Sequence, residues 1–188
     1  MNVIETKLPG VFIIEPKVFG DHRGFFYESW QKKRYEECGI TGEFVQDNVS
    51  YSRKGVLRGL HFQNPNGQGK LVSVLQGKVF DVAVDIRVGS PTFGQWEGVI
   101  LSGENHKQFW VPAGFAHGFC VLSETAYFTY KCDALYDPQC ERSILWNDSD
   151  IGISWPLQDV NLSAKDESGV LLRDMPKERL PQYAGLLK

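Results

Sequence analysis

Lys78-Val79-Phe80-Asp81-Val82-Ala83-Val84-Asp85-Ile86 is the stretch on which the fold turns. Phe80, Val82, Val84 and Ile86 fall on one face of an extended chain, and Asp81, Ala83 and Asp85 fall on the other. That two-residue period belongs to strands, not to helices. Shorter β-rich runs flank it at Val11–Pro16, Gly42–Val49, Leu57–Gln63, Leu71–Leu75, Trp96–Leu101, Phe109–Pro112, Phe119–Leu122 and Ala126–Cys132. Turn clusters separate them, among them Asn64-Pro65-Asn66-Gly67 and Gly89-Ser90-Pro91-Thr92. Many short strands at regular spacing predict a mainly β protein, a closed barrel or jelly roll with a few short helices. One helix is expected early, with Ser29 as its cap, Trp30 through Cys38 as its body and Gly39 ending it. After Trp155-Pro156 the pattern weakens into polar loop and short helical pieces. The reading is a single domain over 1–188, with an N-terminal arm over about 1–50, a barrel over about 51–156 and an extension over about 157–188 that wraps the barrel.

Composition narrows the function classes. The 188 residues are 42% hydrophobic, 13% aromatic and 23% charged, which is globular rather than disordered, and the formal net charge is −3. Arginines are scattered singly, so nothing suggests nucleic acid, and any phosphate binding must be local. Met1–Lys7 has neither a basic start nor a small-residue cleavage site, and no apolar run approaches the roughly 20 residues that span a bilayer. Cys38, Cys120, Cys132 and Cys140 are irregularly spaced with no C-x-x-C pair, as expected of free thiols in a reducing compartment. A cytoplasmic protein without membrane partners is expected.

The candidate chemistry lies in Gly55-Val56-Leu57-Arg58-Gly59-Leu60-His61-Phe62-Gln63 and in Lys70, nine residues beyond the histidine. Imidazole takes and returns protons near neutrality, and guanidinium is shaped for phosphate or carboxylate. On a regular strand Leu57, Gly59, His61 and Gln63 share a face and Arg58 points the other way. The plain alternative for His61 is a hydrogen-bonded core histidine. A metal reading is poorly served, because metal-holding barrels of this kind carry a His-x-His pair with a carboxylate, and Gln63 stands where the second histidine belongs. His117, in Ala116-His117-Gly118-Phe119, can approach from another strand. Tyr130, Tyr136 and Asp166 are further candidates, each individually explicable by packing or solvation.

Together with their surroundings, these residues carry a resemblance. Phe19–Glu28, Phe44–Ser50, Gly55–Gln63, Gly69–Val72, Phe80–Arg87, Gly89–Gly94, Val111–Phe119, Trp146–Asp148, Trp155-Pro156 and Ser163–Asp166 run in the order and spacing of the dTDP-4-dehydrorhamnose 3,5-epimerases. These are cupin-like sugar-nucleotide epimerases of rhamnose biosynthesis with a double-stranded β-helix fold. The match covers residues 10 to 166 and fades beyond.

The resemblance implies an isomerase that inverts C3 and C5 beside a C4 ketone, without metal or other cofactor. It implies His61 as base with Asp166 behind it, Tyr130 as acid and Lys70 as partner of the developing oxyanion. It further implies Arg23, Phe25, Glu28, Gln46, Asn48, Arg58, His117, Tyr136 and Lys165 as substrate-binding residues, with Trp146 as further aromatic surface. A homodimer is implied in which the Arg23–Glu28 segment reaches the neighbouring subunit's site. Three alternatives stay open: a single-centre epimerase of a related nucleotide-activated 4-keto sugar, a non-catalytic sugar-nucleotide-binding cupin, and a metal-dependent cupin dioxygenase.

Overall fold

A computed structural model describes residues 1–185. Its strands are β1 (Asn2–Glu5), β2 (Phe12–Glu15), β3 (Val18–Asp21), β4 (Gly24–Tyr27), β5 (Gln46–Arg53), β6 (Leu57–Gln63), β7 (Lys70–Gln76), β8 (Lys78–Asp85), β9 (Trp96–Ser102), β10 (Gln108–Val111), β11 (Phe115–Val121), β12 (Thr125–Cys132) and β13 (Glu141–Ser143). Two short helices, α1 (Lys32–Glu36) and α2 (Ala164–Glu167), join them. All strand pairings within the sheets are antiparallel. One sheet runs β1-β2-β10-β7-β12-β5, a second runs β13-β6-β11-β8-β9, and β3-β4 form a separate hairpin.

The two large sheets pack face to face, and the alternation in β8 sorts its side chains between two layers. Val79 and Ala83 join Val72, Val74, Phe109, Phe119, Val121 and Phe128 in the inter-sheet core. Val82, Val84 and Ile86, with Phe80 at their margin, face outward and are covered by Ile144, Ile151, Trp155, Leu172, Met175 and Leu180. The strand is thus apolar on both faces because the C-terminal segment roofs the second sheet. Backbone ties fix that roof, including parallel bridges Val56↔Asn161, Ile144↔Val170 and Val88↔Gln182. Residues 186–188 of the expected extension lie outside the described residues. A third cluster of Ile14, Tyr35, Ile40, Leu71 and Trp110 seats α1 on the outside of the first sheet.

Several expectations need adjustment. The early helix starts at Lys32, because the Gln31 side chain accepts the Arg34 N–H and takes the cap expected of Ser29. The Ser29 carbonyl accepts instead from Tyr35 Oη and Gln108 Nε2. Gly39, at φ +88°, does follow the helix in the left-handed region. Strand β11 begins at Phe115, four residues ahead of the expected run, and β1, the β3-β4 hairpin and β13 were not anticipated.

The strand β6 is not regular. His61 pairs with His117 and Arg58 with Phe119, so three steps on β6 match two on β11. This is a bulge, and it resets the alternation. Leu57 and Leu60 both point into the outer layer. Arg58 and His61 therefore share the inward side, contrary to the regular-strand expectation. Gly59 permits it: its φ is +124°, and a Cβ there would sit 2.6 Å from Gly118 Cα and 2.7 Å from the His117 carbonyl oxygen.

Candidate active site

Side chains with chemistry gather at one end of the inter-sheet space. From the second sheet come Arg58 and His61. From the first come Lys70 on β7, Tyr130 and Cys132 on β12, and Gln46, Asn48 and Ser52 on β5. Register brings the latter together: Tyr130 pairs with Asn48, and Cys132 pairs with both Gln46 and Lys70.

His61 is held from behind. Its Nε2 lies 2.6 Å from Asp166 Oδ1, although the two are 105 residues apart. Asp166 sits on α2, where Ser163 caps the helix by accepting the Asp166 N–H and donates its hydroxyl to Asp166 Oδ2 at 2.6 Å. The Gly59 N–H donates to Oδ1 at 3.2 Å. Burial alone would raise this carboxyl, but the His61, Ser163 and Gly59 donors outweigh it and bring its pKa down to about 2. An ionised carboxylate only accepts, so Nε2 of His61 carries the proton. Nδ1 is left with the lone pair, which is what a base requires.

Tyr130 is partly buried against the inter-sheet core. Burial pushes its phenol up, with Cys132 adding to the rise and Arg58 pulling against it. It is therefore a protonated donor at neutral pH. Lys70 is half-buried, its ammonium reaching only the Gln68 carbonyl at 3.5 Å. Burial lowers its pKa, and Cys132, Asp133 and Glu141 push back.

A polar rim surrounds these groups. Arg58 Nε donates to Ser52 Oγ at 3.2 Å. Gln46 Nε2 donates to Asn48 Oδ1, and Gln46 Oε1 accepts the Tyr136 N–H at 2.9 Å. Glu141, on β13 opposite Gln63, accepts Tyr136 Oη at 2.7 Å and pairs with Lys165 at 2.5 Å. Sequence reasoning missed Glu141, because a short polar run after Asp137-Pro138 gives no sign that it adds a strand beside His61. Lys165 is thus engaged by Glu141.

His117 lies beside His61 on the neighbouring strand but turns into the core, with Nε2 2.9 Å from Asp81 Oδ1. Burial pushes Asp81 up, and its Oδ2 has no hydrogen-bond partner. Among the described residues no group of three or more His, Cys, Asp or Glu side chains is arranged to hold a metal.

The remaining expected residues lie elsewhere in the single chain. Arg23 is paired with Asp21, Glu28 with Arg34, and Phe25 packs on His106 and Tyr27. The structure does not bring Arg23, Phe25 or Glu28 to His61. Trp146 packs beside Trp155 in the outer layer, so it offers no surface inside the barrel.

Comparison with known proteins matches the chain to a known family. The family model described as dTDP-4-dehydrorhamnose 3,5-epimerase matches residues 5–174. The dTDP-4-dehydrorhamnose 3,5-epimerase of Shigella flexneri is 61% identical over 171 residues, covering 90% of this chain and 94% of that protein. Among solved structures, the dTDP-6-deoxy-D-glucose-3,5-epimerase of Legionella pneumophila, in complex with dTDP-4-keto-L-rhamnose, superposes with a TM-score of 0.96 at 62% identity. It covers 98% of this chain and 99% of its own. A 3'-monoepimerase from Streptomyces bikiniensis, in complex with dTDP-quinovose, superposes with a TM-score of 0.86 at 35% identity, covering 95% and 92%.

Proposed function

The chain belongs to the dTDP-4-dehydrorhamnose 3,5-epimerase family, and from that premise we propose how its residues divide the reaction. It is a cupin-type carbohydrate epimerase that converts dTDP-4-dehydro-6-deoxy-D-glucose to dTDP-4-dehydro-L-rhamnose. A proton beside a ketone leaves only if the resulting enolate is stabilised, and inversion requires its return from the opposite face. His61 Nδ1 takes the proton, with Asp166 fixing the tautomer and stabilising the imidazolium. Lys70 meets the enolate oxygen. Tyr130 returns a proton from the other side. The observation carrying this assignment is that His61 projects from one sheet while Tyr130 and Lys70 project from the other, so base and donor flank the same space.

Arg58 takes the diphosphate, with Gln46, Asn48 and Tyr136 lining the nucleotide's approach. His117, held by Asp81, packs beside the base and supports its orientation. Arg23, Phe25 and Glu28 act on the site of a second copy. Their hairpin belongs to neither large sheet, and Phe19, Phe25 and Phe26 are 54%, 61% and 69% exposed. A two-stranded hairpin with such a surface is not stable alone, which suits exchange between the two subunits of a homodimer. No helix among the described residues is long and apolar enough to cross a membrane. The four free cysteines suit a reducing compartment, and the cytoplasm is the proposed location.

The test is the configuration of the product. With dTDP-4-dehydro-6-deoxy-D-glucose as substrate, NMR of the product is expected to show inversion at both C3 and C5. Inversion at one carbon only would assign the chain to the single-centre relatives, and unchanged substrate would remove the epimerase reading.

A further inference from the structure

We propose that His106 is a positioning residue for Phe25, holding that ring in the orientation in which it meets substrate at the site of a second copy. The proposal rests on the reading that Phe25 acts on that site. A short two-stranded hairpin does not keep its shape and direction unaided. The β3-β4 hairpin belongs to neither large sheet, so what aims it is to be sought in its contacts with the barrel.

Its two feet are tied. Ahead of β3, Glu15 pairs with Lys107 at 3.0 Å, and after β4 the Ser29 carbonyl accepts Gln108 Nε2 at 2.7 Å. Lys107 and Gln108 directly follow His106, which lies in the turn between β9 and β10. Alternation puts Phe25 and Tyr27 on one face of β4 and Phe26 on the other. His106 meets the first of these faces, its ring centroid 4.5 Å from that of Phe25 and 5.1 Å from that of Tyr27. Among the described residues, no other ring outside the hairpin stacks on it.

The turn holds His106 in place. Its φ is +54°, in the left-handed region, which histidine enters more readily than most residues other than glycine. Its N–H donates to the Ser102 carbonyl at 3.1 Å. Asn105 Oδ1 accepts the N–H of Ser102 at 3.1 Å and that of Lys107 at 3.0 Å, and Asn105 Nδ2 donates to the Ile100 carbonyl at 2.9 Å. A ring on so fastened a turn is a fixed platform. Phe25 rests on it and still stays 61% exposed, which leaves much of its surface for a second copy.

His106→Asn tests the stack, because asparagine also suits the left-handed backbone but brings no ring. The readout is KM and kcat of the intact protein with dTDP-4-dehydro-6-deoxy-D-glucose, beside elution on size exclusion. Losing an aromatic pair lowers the fraction of time for which Phe25 is presented, and apparent affinity falls with that fraction. KM is therefore expected to rise about three- to tenfold, with kcat within about twofold of the wild type. Elution should match the wild type. In a Phe25→Ala background, His106→Asn should change KM by less than about twofold, since the ring it positions is gone. An unchanged KM in His106→Asn, or an equal rise in both backgrounds, with Phe25→Ala itself raising KM, would overturn the role of His106 alone. A smaller particle in His106→Asn would make His106 an assembly contact and overturn it likewise. Wild-type KM in Phe25→Ala would overturn the reading of Phe25 beneath it.

Discussion

Replacing His61 by alanine is expected to lower kcat by roughly 10²–10⁴-fold while leaving nucleotide affinity near that of the wild type, the range associated with loss of a positioned general base. The separation follows from the geometry. His61 contributes through Nδ1, the nitrogen left free by the Asp166 contact at 2.6 Å, whereas the rim is lined by Arg58, three residues back on the same strand, and by Gln46, Asn48 and Tyr136 on other segments. Alanine also strands Asp166, which loses its His61 partner but keeps Ser163 and Gly59 as donors, so the fold around α2 has remaining support. The measurement is steady-state turnover beside calorimetric titration with dTDP. Turnover at the wild-type rate would remove His61 as base, and an equal loss of affinity would make it a binding residue.

Replacing Tyr130 by phenylalanine is expected to separate the two halves of the reaction. The ring still packs against the inter-sheet core, and only the hydroxyl is lost. Proton removal by His61 should persist, so deuterium from heavy water continues to enter the substrate from the face of the base. Completed inversion should fall by about 10²-fold or more, because no donor remains on the opposite face. Following label entry and product formation in one NMR time course gives both rates. Equal decline of the two would mean that Tyr130 acts before or during proton removal, and the acid role would then belong to another group.

How much of this was legible in the sequence depends on the range of the interaction. The alternation in Lys78–Ile86 correctly forecast a strand with Asp81 and Ala83 on one face and Val82 and Val84 on the other. It could not say which face looks inward, because the C-terminal roof makes both faces buried. The bulge that turns Arg58 to the side of His61 depends on a register between β6 and β11 that exists only after folding. Asp166 was reached through resemblance and not through spacing, since 105 residues separate it from His61 and a Lys-Asp pair in a polar tail looks solvated. Glu141 was invisible for the same reason. Its place beside the site comes from the strand it pairs with, and nothing in the local sequence marks that. The β3-β4 hairpin is the converse case, where the resemblance named Arg23, Phe25 and Glu28 but a single chain leaves them apart from the barrel's chemistry.

The most direct test of proton abstraction and return at two carbons is turnover of dTDP-4-dehydro-6-deoxy-D-glucose in heavy water with the unmodified protein, with the label located by NMR. Deuterium at both C3 and C5 of the product is the expected result. A bound substrate that acquires no label at either carbon would contradict it.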